Sequence, residues 1–336
     1  MRIVFVRYML IICVVAIIHM QLFFIQRAKE EKSQKQYRIK NQLRIKSTGP
    51  TWDPPSGVVK FENCDVPCYF EKNVPLVGRK VVFDDKGRSS TFMHTMEGPK
   101  HYPRSTTKGN YDGLSTVSMK SDIPLPYFSW AEYNIMSPPL DFDVAIKGSV
   151  FVARNCRSLN NRERLVKELG KYTRVDSLSS CMNNAPWPSG VDSSDKHTIM
   201  RGYLFYFAFE NECSDDYITE KLWGALEAGA LPVYFGAPNV LDYTPPNSII
   251  DVNQFKNGDS EEIDYERLGK FLNDLMDDKE KYTKFHEWRA SVDYPAKFKE
   301  TYDFTHDHSI CRACRWNLAR HEPESFIFDH KTQKLI

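Results

Sequence analysis

Residues 202–236 read GYLFYFAFENECSDDYITEKLWGALEAGALPVYFG, and the order of residue types along this stretch decides the fold. Tyr203 to Glu210 (YLFYFAFE) is an aromatic-rich run of strand length. Asp216 to Ala228 reads as a helix, Gly229 stands where a cap belongs, and Leu231 to Phe235 (LPVYF) is the next strand. Strand, helix and strand in this order form a βαβ unit of a parallel sheet. In such sheets ligands bind beyond the carboxyl ends of the strands, against helix N-termini. The polar loop Asn211 to Asp216 is expected at that spot.

Working outward, Ser149 to Ala153 (SVFVA) is a candidate buried strand, and Arg162 to Leu169 (RERLVKEL) is helical, with Leu165, Val166 and Leu169 on one side and Gly170 at the cap position. From Val58 to about Pro139 the chain shows short apolar runs broken by Gly, Pro and Asp, with strands expected at Val81 to Phe83 and Leu114 to Val117. Ser137-Pro138-Pro139 reads as a boundary. Tyr265, Leu268, Phe271, Leu272, Leu275 and Met276 follow helical spacing and read as core.

With 336 residues and 41% hydrophobic content, the chain is long enough for one large or two medium domains, and it carries no repeat of the solenoid or propeller kind. Its net charge of +1 hides a split. Residues 27–48 hold eight Lys or Arg against Glu30 and Glu31, and Arg2 and Arg7 add two more positive charges, so residues 49–336 carry about seven negative charges in excess. A mildly acidic folded part argues against a nucleic-acid binder. Tyr8 to Ile25 (YMLIICVVAIIHMQLFFI) is long enough for a short membrane span, and no small-residue cleavage site follows it, so an uncleaved signal anchor is expected. The basic segment after it reads as a solvated stem. Taken literally, the excess of positive charge after the span would put the bulk of the chain in the cytosol.

The cysteines argue the other way. CDVPC (64–68) opens the folded region and CRAC (311–314) nearly closes it, which suits disulfides tying the two ends together in an oxidising compartment. A four-cysteine zinc site built from the same pairs is the alternative. For chemistry, Asn211, Tyr217, Glu220 and Lys221 offer an amide, a phenol, a carboxylate and an ammonium in one small volume at a helix start. Such a set can hold a nucleotide, the carboxylate on ribose hydroxyls and the cation on phosphates, although ordinary surface charges would read the same way. No Gly-x-Gly-x-x-Gly or Walker sequence occurs, so dinucleotide dehydrogenases and P-loop enzymes are unsupported.

FAFENECSDDYITEKLWGALEAGALPVYFGAPNV (207–240) resembles the donor-binding signature of the α1,3-fucosyltransferases of glycosyltransferase family 10. TMEGPKHYP (95–103), YDGLSTVSMKSDIPLPYFSWAEYNIMSPP (111–139) and WRASVDYPAKFKETYDFTHDHSICRAC (288–314) look most like the plant-type members that fucosylate the N-glycan core. The resemblance covers about residues 52–320. It implies an α/β, glycosyltransferase B-type fold with two Rossmann-like domains, and inverting α1,3 transfer from GDP-fucose to GlcNAc without a required divalent metal. It further implies a type II Golgi membrane protein with a lumenal catalytic domain, which resolves the orientation.

The expected layout is a cytoplasmic tail (1–7), signal anchor (8–25), stem (26–50), acceptor-side domain (51–140), GDP-fucose-binding domain (141–320) and C-terminal tail (321–336). Position by position, Glu97 matches the family's general base, and Asn211, Tyr217, Glu220 and Lys221 match donor contacts. For the phosphate-binding arginine of the donor site, plant-type relatives have Asn-Cys-Gly-Ala-Arg-Asn-Phe-Arg where this chain has NCRSLNNR (155–162), so Leu159 replaces the first arginine and Arg162 matches the second, with Arg164 in reserve. Glu132 is the reserve base. The acceptor implied is an N-glycan or glycoprotein; a Lewis-type lactosamine acceptor, or a tethered carbohydrate-binding protein without turnover, stands as the alternative.

Overall fold

The computed structural model describes residues 58–60, 64–71, 79–102, 110–127, 133–258, 260–290, 295–305 and 307–336. The expected tail, span and stem, and Glu132, lie outside the described residues. Among the described residues no helix is long and apolar enough to cross a membrane.

Five short strands come first: β1 (Val58–Lys60), β2 (Tyr69–Glu71), β3 (Arg79–Phe83), β4 (Ser89–His94) and β5 (Gly113–Ser115). They pair in chain order, antiparallel from β1 through β4 and parallel only between β4 and β5. This corrects the expectation of a Rossmann-like first domain. A parallel crossover takes a dozen or more residues. The links 61–68, 72–78 and 84–88 are all shorter than that, and only 95–112 is long enough.

The second sheet matches the βαβ reading. It contains β6 (Ile146–Phe151), then helix α1 (Arg162–Leu169), β7 (Val175–Ser177), α2 (Lys196–Arg201), β8 (Tyr203–Phe209), α3 (Glu220–Ala228), β9 (Leu231–Phe235) and β10 (Ile250–Asp251). Every pair is parallel, in the order β10-β9-β8-β6-β7. Every residue of β8 is buried, as a central strand covered on both faces requires. Because β7 lies on one side of β6 and β8 on the other, the order reverses between β6 and β8, and this is the switch point at which such sheets bind ligands.

Helix α3 is shorter than its sequence suggests. Asp216 adopts a left-handed φ of 66°, and helical geometry begins only after Thr219, the N-cap. Its far end fits the expectation: Gly229 takes φ 76°. A Cβ there would stand 2.5 Å from the Pro138 carbonyl oxygen, so the 137–139 boundary packs directly on the cap. Gly170, by contrast, is right-handed, and its conformational freedom goes unused.

After α4 (Tyr265–Asp277), which buries Leu268, Leu272, Leu275 and Met276, come α5 (Lys279–Lys284), α6 (Ala296–Thr305) and α7 (Ser309–His321). Helix α7 returns to the first sheet. Its Cys311 bonds Cys64, its Cys314 bonds Cys68, and Trp316 meets the Phe92 ring edge-on at 5.1 Å. Both cysteine pairs are thereby used in disulfides, which removes the zinc alternative. Residues 321–336 were expected as a tail; instead β11 (Phe328–Asp329) and β12 (Lys334–Leu335) form a ribbon against α7. A third bridge, Cys156–Cys181, joins the loops that follow β6 and β7, while Cys213 stays a free thiol.

His286, just beyond α5, is buried with its Nδ1 2.8 Å from Arg289 Nη1. Burial, helped by that arginine, pushes the imidazole down to about 3 from 6.5. The unfolded chain therefore binds a proton below about pH 6.5 that the folded chain refuses. This contribution to stability is full above that pH and declines by ~1.4 kcal/mol per pH unit as pH falls toward the folded value. Urea unfolding at about pH 7 and about pH 5 should show this decline in the parent and a shallower one in His286→Gln. Equal slopes would show that His286 does not carry it.

Candidate functional site

Strand β8 ends at Phe209, and the next side chain, Glu210, is fully buried. Its carboxylate accepts hydrogen bonds from the Thr219 N–H and the Thr219 hydroxyl, both at 2.8 Å, and from Lys221 Nζ at 3.1 Å. Lys221 Nζ also lies 2.8 Å from Thr219 Oγ1 and 3.3 Å from Glu220 Oε1. Burial pushes the Glu210 carboxyl upward, and Lys221 and the Thr219 donors work against it. For Lys221 burial acts to lower the value, but Glu210 and Glu220 outweigh it and hold the ammonium above its ordinary range. The sequence suggests a surface-facing cation at this position. The structure corrects that: Lys221 turns inward to neutralise a buried carboxylate.

Glu220, at the first helical position of α3, is half-buried. Burial raises its carboxyl, while Lys221 and Lys196, the latter at 3.9 Å, bring it below its usual value. Lys196 is lowered by burial and then by Lys221, Arg154 and Arg162, with Glu220 opposing. Four cations thus gather around the carboxyl ends of β6 and β8.

Arg162 is among them but is committed to the protein. It is 3% exposed, its Nη1 donates to the Phe209 carbonyl at 2.7 Å and its Nη2 to the Asn155 carbonyl at 3.2 Å. It ties the end of β8 to the loop that follows β6, on the two sides of the switch point. Arg164 points away, 3.7 Å from Glu262 on the surface. Leu159 is exposed, and its N–H donates to the Asn211 carbonyl at 2.8 Å. The side-chain Oδ1 of Asn211 is buried with no hydrogen-bond partner among the described residues.

Tyr217 is buried, and its ring meets Tyr127 edge-on at 6.3 Å. Burial pushes both phenols up, and the Glu97, Glu210 and Glu220 carboxylates add to it. Glu97 is exposed on the loop after β4, and the residue that follows it, Gly98, rests against Glu212 of the Asn211–Asp216 loop. The structure brings together Glu97, Asn211, Tyr217, Glu220 and Lys221, with Arg162 beneath them. Sequence reasoning missed Glu210, Lys196 and Tyr127. The signal for Glu210 was present, because an acid closing an otherwise apolar central strand must find a partner.

A fully parallel sheet with charged side chains gathered at the carboxyl ends of β6 and β8 places the chain in the class of α/β proteins whose sheets take ligands at the switch point. Within that class the chain belongs to glycosyltransferase family 10 (fucosyltransferase), whose C-terminal region matches residues 146–332. A fucosyltransferase-like protein of Arabidopsis thaliana is 29% identical over 265 residues, covering 77% of this chain and 49% of the relative. A GDP-fucose protein O-fucosyltransferase 3 of Xenopus tropicalis is 39% identical over 206 residues (59% and 40%), and an α-(1,3)-fucosyltransferase B of Drosophila melanogaster is 28% identical over 230 (66% and 50%). A crystal structure of an α1,3-fucosyltransferase with GDP-fucose aligns with 23% identity and a TM-score of 0.35, over 46% of this chain and 40% of that one. The chain spans half or less of the length of these curated relatives.

Because Lys221 neutralises Glu210, Lys221→Ala should destabilise the fold by ~3–5 kcal/mol in urea unfolding, the range for breaking a buried pair. Lys196→Ala, on a half-exposed side chain, should cost less than ~1 kcal/mol. Equal, small effects from both would show that the inward ion pair carries no weight.

Proposed function

We propose that this protein transfers fucose from GDP-fucose to a protein-borne acceptor with inversion. The observation that carries the reading is that the turn bearing Glu97 packs, through Gly98 and Lys100, on the Asn211–Asp216 loop at the switch point of a family 10 sheet. Glu97 takes the proton of the acceptor hydroxyl, whose oxygen forms the new bond to the anomeric carbon. The bond from that carbon to the diphosphate breaks, and its electron pair leaves with GDP. General-base help of this kind contributes ~10²–10⁴-fold. Positive charge at the strand ends meets the charge developing on the diphosphate. Lys196 and Arg154, being partly or wholly exposed, suit direct phosphate contact better than Arg162, which acts through the strand ends. These cations also offset the loss of the family arginine at Leu159, a loss that by itself would favour a carbohydrate-binding protein without turnover.

For the acceptor, a hydroxyl of a protein comes first, because the relatives named for protein O-fucosylation share 29–41% identity, against 28% for the α1,3-fucosyltransferase of the fly. The core GlcNAc of an N-glycan is the second reading, supported by the plant-type stretches at 95–103 and 111–139. A lumenal, Golgi-anchored placement belongs to the same proposal.

The test is incubation of the protein with GDP-fucose and three acceptors: a panel of unglycosylated proteins, a core N-glycopeptide and a lactosamine. Product linkage analysis decides among them, and no transfer to any would remove the reading. Glu97→Gln should keep donor affinity within ~3-fold while lowering turnover ~10²-fold or more, since the amide fills the same space but takes no proton. Full turnover in that variant would place the base elsewhere.

A further inference from the structure

Glu212 follows Asn211 in the donor loop, is completely buried, and has no role in the site as described so far. Its partners are on the other sheet's loop. Glu212 Oε2 accepts the Lys100 N–H at 3.0 Å and lies 3.8 Å from His101 Nε2. Its other oxygen, Oε1, has no hydrogen-bond partner among the described residues and rests against Gly98. A Cβ on Gly98 would stand 2.2 Å from that oxygen. The backbone of Gly98, with φ −69° and ψ 156°, is one any residue adopts, so the carboxylate of Glu212, and not the local conformation, demands glycine there.

The turn gripped in this way is 95–102, the one that carries Glu97. At its start the Thr95 N–H donates to the Ser115 carbonyl (3.0 Å) and the Glu97 N–H to Thr95 Oγ1 (3.1 Å); after Glu97 the His101 N–H donates to the Gly98 carbonyl (2.9 Å). The contacts from the Asn211–Asp216 loop fall on Gly98 and Lys100, one and three residues after Glu97. A second fastening lies four residues along the same loop, where Asp216 Oδ2 accepts the Met119 N–H at 2.9 Å.

We propose that Glu212 is a positioning residue for the transfer reaction: it clamps the Gly98–Lys100 turn to the donor loop and so sets where Glu97 stands relative to the bound donor. The inference rests on the reading of Glu97 as base. A base must come within ~2.6–3.2 Å of the proton it removes, and a misplacement of about 1 Å can cost ~10²-fold in rate, so a clamp one residue from Glu97 controls turnover more than donor affinity.

The test measures steady-state kinetics and backbone amide exchange on the whole protein. Glu212→Ala should lower kcat by ~10- to 100-fold with the KM for GDP-fucose within ~3-fold, and should speed exchange of the Lys100 amide while leaving that of Thr219 unchanged. Glu212→Gln keeps an acceptor for the Lys100 N–H and should restore kcat to within ~3-fold of the parent. Gly98→Ala alone should lower kcat by pushing the turn off the carboxylate, and in the Glu212→Ala background, where that space is empty, it should add no more than ~2-fold. Parent-like kcat or unchanged Lys100 exchange in Glu212→Ala, or fully additive losses in the double variant, would overturn the proposal. Glu97→Gln is assayed alongside. If it keeps full turnover, both the base and the clamp fall; if it is inactive while Glu212→Ala turns over like the parent, only the clamp falls.

Discussion

A carboxylate cannot sit at zero exposure between a parallel strand and a helix without several kcal/mol of compensation, and much of this site follows from how Glu210 obtains it. The compensation is local and directional. Thr219 supplies its amide and hydroxyl, and Lys221 supplies its charge, so the helix must start at Glu220 and its first turn must face the end of β8. The positive end of the helix dipole then points at the same carboxylate. Once these groups are fixed, Asn211, Tyr217 and Glu220 have little freedom left. The buried ion pair constrains how the 211–219 loop is built more than it adds net stability.

Arg162 solves a related problem one strand away. Beyond the last paired residues of β6 and β8, backbone carbonyls no longer have ladder partners and need other donors. Arg162 donates to one carbonyl from each side, at Asn155 and Phe209, and its guanidinium lies 5.7 Å from the Phe151 ring centroid. The Cys156–Cys181 bridge holds the same rim from outside. The strand-end side of the site is thereby cross-linked, while Lys196 and Arg154 are the more exposed of its cations.

Much of this was legible in residues 202–236, because period, caps and polar loop all pointed to the same unit. The helix over 162–169, the strand over 231–235 and the left-handed Gly229 were readable for the same local reason. What could not be read were properties that depend on distant partners. The antiparallel first sheet follows from connection lengths whose strands are too short to announce themselves. The inward turn of Lys221 follows from Glu210, eleven residues earlier, whose depth no local pattern reveals. Cys156 and Cys181 were visible as cysteines, but only the adjacency of β6 and β7 brings them together.

The two bridges from Cys64 and Cys68 span separations of 247 and 246 residues, and the helix that receives them also completes the hydrophobic layer beneath the first sheet. During vectorial synthesis the first sheet is therefore made long before it can be finished. The parallel sheet, whose strands and helices are contiguous in the chain, can assemble in the interval. The unit that starts first closes last. Its cysteines must wait as thiols while Cys156, Cys181 and Cys213 emerge, so correct pairing depends on the second sheet folding promptly enough to take Cys156 and Cys181 out of competition.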